Sequence, residues 1–151
     1  ARPKIGDYAF TTLHPHVGIV EYEDYEQISL ADFPGILPDI SKGFGTKFFH
    51  HLDECKIFIF VVDLSKEDFC EQFQNTNKAL EFYNSKILEN KKLLVIGNKV
   101  DMIDDLDKRL NAFKEKIGLP IIPMSTKKRI NLRKFLTILR DNYDKICLKQ
   151  E

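Results

Sequence analysis

Two short apolar runs most constrain what this chain can fold into: IFIFVVD at positions 57–63 and LLVIG at positions 93–97. A strand that is apolar at every position is typical of a parallel sheet with both faces covered. After each run, apolar residues recur at the spacing of a helix that is buried along one side. Strands and helices alternating in this way predict an α/β fold with a layered sheet.

The other elements follow from local signals. The helical spacing involves three sets of apolar residues: Phe69, Phe73, Leu80, Tyr83 and Ile87; then Leu106, Leu110, Phe113 and Ile117; then Leu132, Phe135, Leu136, Leu139, Tyr143 and Ile146. Gly118 is expected to end the second of these helices. Residues 46–55 predict a short helix, and PIIPM at 120–124 predicts a strand near a sheet edge because of its two prolines. Residues 17–22 and 27–31 predict a hairpin.

Composition excludes several classes of protein. The 151 residues fit one domain, and Lys plus Arg and Asp plus Glu both number 23, so no net field draws the chain to nucleic acid or membrane. Any such partner would have to bind to a local patch of charge. Three cysteines without CxxC spacing disfavour a disulfide framework and a zinc knuckle, and they favour a reducing compartment. The longest apolar run is too short to cross a bilayer, so we expect no membrane partner.

Polar clusters follow three of the predicted strands, at 32–35, 98–101 and 125–127. In an open α/β sheet, ligands bind beyond the carboxyl ends of the strands. We therefore expect these three loops to converge at one edge of the sheet and to form the binding site.

The sequence Asn98-Lys99-Val100-Asp101 has the chemistry of a guanine-binding loop. The Asp101 carboxylate can accept two N–H bonds from the edge of guanine, a match that adenine does not offer. The Lys99 stem can cover the face of the base, and Asn98 can tie the loop to its neighbours. A plain turn at the end of a strand is the alternative interpretation.

The other two clusters also have two interpretations. Asp32 can hold Mg²⁺ through a water and the Gly35 N–H can meet a terminal phosphate, or Asp32 to Gly35 form only a Pro-Gly turn. Ser125 to Lys127 can contribute backbone and hydroxyl groups to the base, or only cap the next helix. The cations Lys127, Lys128, Arg129, Arg133 and Lys134 are interpreted as a solvated face that can touch phosphate.

Longer strings narrow the interpretation. The chain contains ARPKIGDYAFTTLHPHVGIV, LADFPGILPDISKGFGTKFFHHLDECKIFIFVVDLS, IGNKVD and IIPMST. These strings resemble the Obg family of ribosome-associated GTPases along nearly the whole chain, and they look closest to its eukaryotic Obg-like branch. The resemblance implies a Ras-like G domain of the P-loop NTPase type, which binds and slowly hydrolyses GTP and acts as a nucleotide-gated ribosome assembly factor. It also implies GTP/GDP and Mg²⁺ as cofactors.

The resemblance assigns site residues by position. Switch I, which contacts the nucleotide, would consist of Phe10, Thr11, Thr12, Leu13 and His14. Switch II would begin with Asp32, Phe33, Pro34 and Gly35. The base would be bound by Asn98, Lys99, Val100, Asp101, Ser125, Thr126 and Lys127. Thr12 and Asp32 would be the magnesium ligands. Ile36 stands where Ras-type enzymes carry a glutamine that orients water, so the catalytic residue remains unassigned.

The phosphate-binding sequence GxxxxGK[ST] does not occur in the 151 residues. The resemblance therefore implies that residues 1–151 are part of an Obg-type G domain, truncated so that the first strand, the phosphate loop, the first helix and a glycine-rich domain lie upstream. GTP hydrolysis is then expected of the complete protein, and residues 1–151 are expected to be inactive without the phosphate loop. The alternative is a degenerate G domain that serves as a non-catalytic module for binding protein or RNA. We expect a monomer that binds a ribosomal subunit or rRNA, inside the cell, in the cytoplasm, nucleolus or mitochondrion.

Overall fold

The computed structural model describes residues 3–6, 16–33 and 46–149, without the side chains of 3–6 and 46–49. The chain divides into two units, residues 1–54 and 55–151, and each is described by itself. That all 151 residues form a single partial G domain stays a prediction.

The first unit contains an antiparallel sheet of three strands, β1 (Pro3–Gly6), β2 (His16–Glu21) and β3 (Gln27–Asp32), followed by helix α1 (Thr46–Glu54). The predicted hairpin is confirmed as the pair β2 and β3, and Val20 lies opposite Ile28 on its buried face. Tyr25 has a φ of 69° in the tight turn between these strands. The pairing of β1 with β2 adds a strand that was not predicted, because four residues are too few to show an alternating pattern.

The second unit contains the parallel sheet that the apolar runs predict. Its strands are β4 (Ile57–Asp63), β5 (Lys92–Asn98) and β6 (Ile121–Pro123), in the order β4-β5-β6. The helices α2 (Phe69–Tyr83), α3 (Leu106–Ile117) and α4 (Leu132–Leu148) follow the strands in turn. The predicted α/β class and the position of β6 at a sheet edge are therefore confirmed.

Burial differs between the two apolar runs. In the central strand β5, residues 94–96 are all at most 7% exposed, as expected for a strand covered on both faces. In β4, Phe58, Phe60 and Val62 are buried, whereas Val61 between them is 59% exposed. The expectation that β4 is buried on both faces is therefore wrong at Val61, because side chains alternate between the faces of a strand and Val61 lies on the face opposite to Phe58, Phe60 and Val62.

Aromatic side chains link the helices to the sheet. The ring centroid of Phe73 on α2 lies 5.0 Å from that of Phe60 on β4 and 6.0 Å from that of Phe113 on α3. Phe113 is fully buried, and Phe69 stacks on it with centroids 5.6 Å apart. Such edge-to-face and stacked pairs contribute about 0.5–1.5 kcal/mol each beyond the area that they bury. They fix α2 and α3 against the strands that carry the polar loops.

The ends of the helices depend on local chemistry. Gly118 ends α3 with a φ of 68°, as predicted. The α2 helix ends at Tyr83, so the prediction that it reaches Ile87 is wrong. Asn84 is extended, and its side-chain oxygen accepts the N–H of Lys86 at 3.0 Å, which starts a turn. Ile87 is 4% exposed within that turn, so its spacing reflects burial and not helix.

Among the described residues, no helix is both long and apolar enough to span a lipid bilayer.

Candidate functional site

Two of the three predicted loops lie together at the carboxyl ends of β5 and β6. We call residues 98–101 and 125–127 the base loops. Behind them, the Met124 N–H donates to the Gly97 carbonyl at 2.8 Å, and the Val100 N–H donates to the Met124 carbonyl at 3.1 Å. These two backbone bonds continue the pairing of β5 with β6 beyond the strand ends, so the base loops start from fixed positions.

Asn98 joins the two base loops through its side-chain amide. Its Oδ1 accepts the Thr126 backbone N–H at 3.1 Å, and its Nδ2 donates to the Thr126 hydroxyl at 3.4 Å. The amide suits this role because it offers a donor and an acceptor on one planar group. The prediction that Asn98 ties its loop to a neighbouring loop is confirmed.

Asp101 and Ser125 form the shortest side-chain bond between the base loops. The Ser125 hydroxyl donates to Asp101 Oδ1 at 2.7 Å and accepts the Lys128 N–H at 3.1 Å. Ser125 is 1% exposed, whereas Asp101 is exposed. One carboxylate accepts about four hydrogen bonds. The Ser125 bond therefore orients the carboxylate and leaves it able to accept further donors from a ligand.

Lys99 lies in the left-handed region with a φ of 68°, which is uncommon for a residue with a side chain. This conformation turns the chain sharply between Asn98 and the one-turn helix Val100–Met102. Val100 is buried beneath the turn, and Lys99 and Asp101 are exposed. Backbone strain of this kind is typical of functional sites held in place by their surroundings.

Asp63 is a site residue that the sequence analysis missed. It is the last residue of β4 and the register partner of Asn98, which places it beside Lys99. Its Oδ2 lies 2.8 Å from the Lys99 ammonium, and its Oδ1 accepts the hydroxyl and the N–H of Ser65 at 2.6 and 3.0 Å. The sequence signal that could have indicated this role is the position of Asp63, a carboxylate that directly follows an apolar strand, just as Asn98 follows the next apolar strand.

The pKa of Asp63 follows from these contacts. Burial alone would raise the pKa of this carboxyl group, because desolvation disfavours the charged form. The hydrogen bonds from Lys99 and Ser65 outweigh burial and hold the pKa below its ordinary value. The carboxylate is therefore charged at neutral pH and available to hold the Lys99 ammonium.

Arg109 on α3 holds the segment that follows Asp63. Its Nη1 donates to the Leu64 carbonyl at 2.8 Å and to the Lys66 carbonyl at 3.3 Å. Its Nη2 and Nε form ion pairs with Glu67 at 3.1 Å and Asp105 at 3.0 Å. Five donors in a planar fork suit a guanidinium to bind two carbonyls and two carboxylates at once.

Gly97 lets β5 approach its neighbours closely. A Cβ atom at this position would lie 2.5 Å from Leu64 Cδ1 and 3.3 Å from Ile121 Cγ2. Leu64 is fully buried, and its N–H donates to the Asn98 carbonyl at 3.1 Å. A larger residue before Asn98 would therefore force the buried Leu64 side chain to shift.

The remaining predicted site residues are distributed as follows. Asp32 is exposed at the end of β3 in the first unit, and Phe33 follows it half-buried. Outside the described residues lie Phe10, Thr11, Thr12, Leu13, His14, Pro34, Gly35 and Ile36. Within the described ranges, no group of three or more His, Cys, Asp or Glu residues is placed to hold a metal ion. The convergence of the loop at 32–35 with the base loops stays a prediction.

Comparison with known proteins gives consistent matches. A family model described as "50S ribosome-binding GTPase" matches residues 1–99. The chain is 38% identical over 148 residues to GTPase Obg of Phytoplasma mali, covering 94% of this chain and 35% of that protein. It is 37% identical over 146 residues to mitochondrial ribosome-associated GTPase 2 of Pongo abelii, covering 95% of this chain and 36% of that protein.

A third relative is GTPase Obg of Bacillus licheniformis, which is 37% identical over 151 residues, covering 95% of this chain and 35% of that protein. The chain thus spans about a third of the length of these three relatives. Since they include bacterial and primate proteins, a closer relation to the eukaryotic Obg-like branch stays a prediction.

Proposed function

The chain belongs to the family of 50S ribosome-binding GTPases, and from this membership we propose that it binds guanine nucleotides through the base loops. In the same proposal, the protein hydrolyses GTP to GDP and phosphate. The resemblance to the Obg family that the sequence motifs indicate is confirmed by the relatives described above. The structure adds which contacts hold the base loops together.

The observation that carries the proposal is the 2.7 Å bond from the Ser125 hydroxyl to Asp101. A guanine presents two parallel N–H donors on one edge, and a carboxylate that is already oriented can accept both. Adenine has a ring nitrogen without hydrogen where guanine has a ring N–H, so it would place an acceptor against the carboxylate and leave that carboxylate without a donor. Rejection of a base on these grounds can reach about 10⁴-fold. Ser125 acts on the base through Asp101 in this arrangement.

Lys99 has a second role in the proposal. Its ammonium is held by Asp63 while half of its side chain remains exposed. The aliphatic stem of a lysine can cover apolar surface while its charge is satisfied elsewhere. We assign the exposed stem to the face of the base, with Asp63 as the group that keeps the stem extended. Thr126 and Lys127 complete the opposite side with their backbone groups.

Magnesium is assigned to Asp32 and Thr12. Asp32 fits such an ion, because its carboxylate is exposed and Mg²⁺ is commonly bound by one or two carboxylates with waters. When bound, the ion would neutralise charge on the β- and γ-phosphates of GTP. Switch I and switch II, at 10–14 and 32–35, are assigned to the phosphates by the resemblance to the family.

Association with a ribosomal subunit is the proposed output. The family description names the 50S subunit, and one relative is named as ribosome-associated. In this proposal GTP gates the association, since loops that order around the γ-phosphate relax after hydrolysis.

Competition binding tests the nucleotide proposal. Fluorescent GDP is titrated with the full chain and with the product of its complete reading frame, and unlabelled GDP, GTP and ATP are used to displace it. Displacement by GDP and GTP but not by ATP in the longer product is the expected result, because residues 1–151 do not contain the sequence GxxxxGK[ST]. If no nucleotide binds to this chain or to the product of its complete reading frame, the non-catalytic interaction module is the better interpretation.

A further inference from the structure

Five cations lie close together along the chain, at the end of the second base loop and just after it. We define the basic surface as Lys127, Lys128, Arg129, Arg133 and Lys134, which are all exposed. Although the chain has no net charge, residues 116–140 contain no Asp or Glu. Within the described part of the chain, none of the five side chains forms an ion pair. The positive charge of this surface is therefore not neutralised locally.

The backbone beneath the basic surface is held in a defined conformation. Ser125 and Ile130 exchange two backbone bonds, at 3.2 and 2.9 Å, which close the turn that carries the first three cations. Arg129 and Asn131 adopt φ angles of 56° and 60°, and the Asn131 side chain donates to the Pro123 carbonyl at 2.8 Å. A fixed turn presents its cations with less loss of entropy on binding than a flexible one.

Two of the cations lie where they oppose helix stability. Arg133 and Lys134 are in the first turn of α4, which contains no acidic residue. The N-terminal end of a helix carries about half a positive charge, so cations there cost about 0.3–1 kcal/mol each. The Asn131 side chain makes no capping bond to the helix. A purely solvated face would not need charges at this position, whereas a surface for a polyanion would use them.

From these observations we propose that the basic surface binds the phosphate backbone of RNA. The proposal rests on the proposed function, because a ribosomal subunit presents RNA phosphates on its surface. Duplex RNA is bound mainly through phosphates and 2′-hydroxyls, which suits exposed lysine and arginine without a base-reading helix. The basic surface begins inside the second base loop, so RNA bound there lies next to the nucleotide.

The test compares two triple variants of the full chain. Lys128→Gln/Arg133→Gln/Lys134→Gln removes three charges from the basic surface and leaves Lys127 in the base loop. The matched control, Lys78→Gln/Lys108→Gln/Lys145→Gln, removes three lysines from α2, α3 and α4, outside the basic surface. Binding of a fluorescein-labelled RNA stem of about 20 base pairs is measured by anisotropy at several salt concentrations. Thermal melts establish that both variants are folded.

The expected result is a change in salt dependence. The slope of log affinity against log salt should fall by about 2–3 in the first variant, roughly one for each phosphate that is no longer neutralised. The control should keep the slope of the unaltered chain. Equal slopes in the two variants would overturn the proposal, as would absence of RNA binding by the unaltered chain. Competition by polyglutamate as strong as that by RNA would assign the surface to an acidic protein instead.

Nucleotide binding separates this proposal from the proposed function. Neither variant alters a residue assigned to the base, so GDP affinity should stay within about twofold of the unaltered chain, in keeping with independent sites. If GDP fails to bind to any of the chains while the RNA slopes differ as expected, the nucleotide proposal fails and the RNA surface stands. If GDP binds and the slopes are equal, only the RNA surface fails.

Discussion

The Lys99 ammonium lies 2.8 Å from the Asp63 carboxylate, and this ion pair joins the ends of two neighbouring parallel strands. Lys99 belongs to the loop assigned to the base, and Asp63 belongs to the strand beside it. The segment after Asp63 is in turn held by Arg109. The position of the lysine that we assign to the base is therefore set by a carboxylate 36 residues earlier in the chain.

Replacement of Asp101 tests base recognition. Asp101→Asn puts an amide donor where the carboxylate accepts, which suits the carbonyl that xanthine has in place of the guanine amino group. We expect GDP affinity to fall by about 10²-fold or more and XDP to be preferred, since an unpaired polar group is costly. Displacement of fluorescent GDP by XDP is the measurement. The control Asp104→Asn, at an exposed position in the same segment, should keep the preference for GDP.

Replacement of Asp63 tests the ion pair. Asp63→Asn keeps the size of the side chain and removes the charge that holds Lys99. We expect GDP affinity to fall about 3- to 30-fold with selectivity over ATP retained, because the stem of Lys99 is less well positioned while Asp101 is intact. An unchanged GDP affinity would show that Lys99 does not need Asp63. Asp141→Asn, at an exposed position on α4, provides the matched control.

Acid titration tests the charge of Asp63. The folded-state pKa lies below the ordinary carboxyl value of 3.8, so the contribution of Asp63 to stability is present above that value and is lost as pH falls through the lowered pKa. The difference in the free energy of unfolding between the unaltered chain and Asp63→Asn should be constant above about pH 5 and should shrink below pH 4. Urea denaturation at a series of pH values measures it. A difference that grows on acidification would contradict the lowered pKa.

Removal of the Ser125 hydroxyl tests the contact between the base loops. Ser125→Ala leaves the Lys128 N–H without its acceptor and removes one donor to Asp101. At a position 1% exposed, the expected loss of stability is about 1–3 kcal/mol. GDP affinity should also fall, because Asp101 is less well oriented. Ser85→Ala, at an exposed position, should change both quantities little.

Replacement of Gly97 tests the packing behind the site. Gly97→Ala forces a Cβ against the buried Leu64 side chain, and we expect a loss of about 1–3 kcal/mol in stability. Adding Leu64→Val should recover part of this loss, as a double-mutant cycle measured by thermal and urea unfolding would show. Gly118→Ala meets no atom within 4 Å, so its smaller cost of about 1 kcal/mol comes from the positive φ alone. Additive effects of the Gly97 and Leu64 changes would contradict the packing argument.

The sequence predicts what depends on local pattern. The strand at Ile57–Asp63, the strand ending at Asn98 and the stop at Gly118 all lie where periodicity and turn chemistry place them. Helical spacing of apolar residues gives a wrong prediction where a residue is buried outside a helix, as at Ile87, which is buried in a turn. An apolar run also does not show whether both faces of a strand are covered, and Val61 is exposed on one face of β4.

Within the site, the residue types were predictable and their partners were not. Chemistry alone predicts that Asn98 links two loops, which its bonds to Thr126 confirm. It also predicts that Asp101 binds guanine, which stays a proposal. The roles of Asp63, Arg109 and the Ser125 hydroxyl depend on distances between residues that are far apart in the chain. A carboxylate at the end of an apolar strand is common, so Asp63 becomes specific only when the register places it beside Lys99.

The left-handed conformation of Lys99 has a consequence for protein engineering. A grafted Asn-Lys-Val-Asp tetrapeptide would not carry the guanine recognition that we propose to another scaffold, because most surroundings do not stabilise a lysine with a φ of 68°. A recipient would also have to supply a carboxylate on the adjacent strand and a buried serine on the next loop. The portable unit is therefore the whole edge of the β4-β5-β6 sheet.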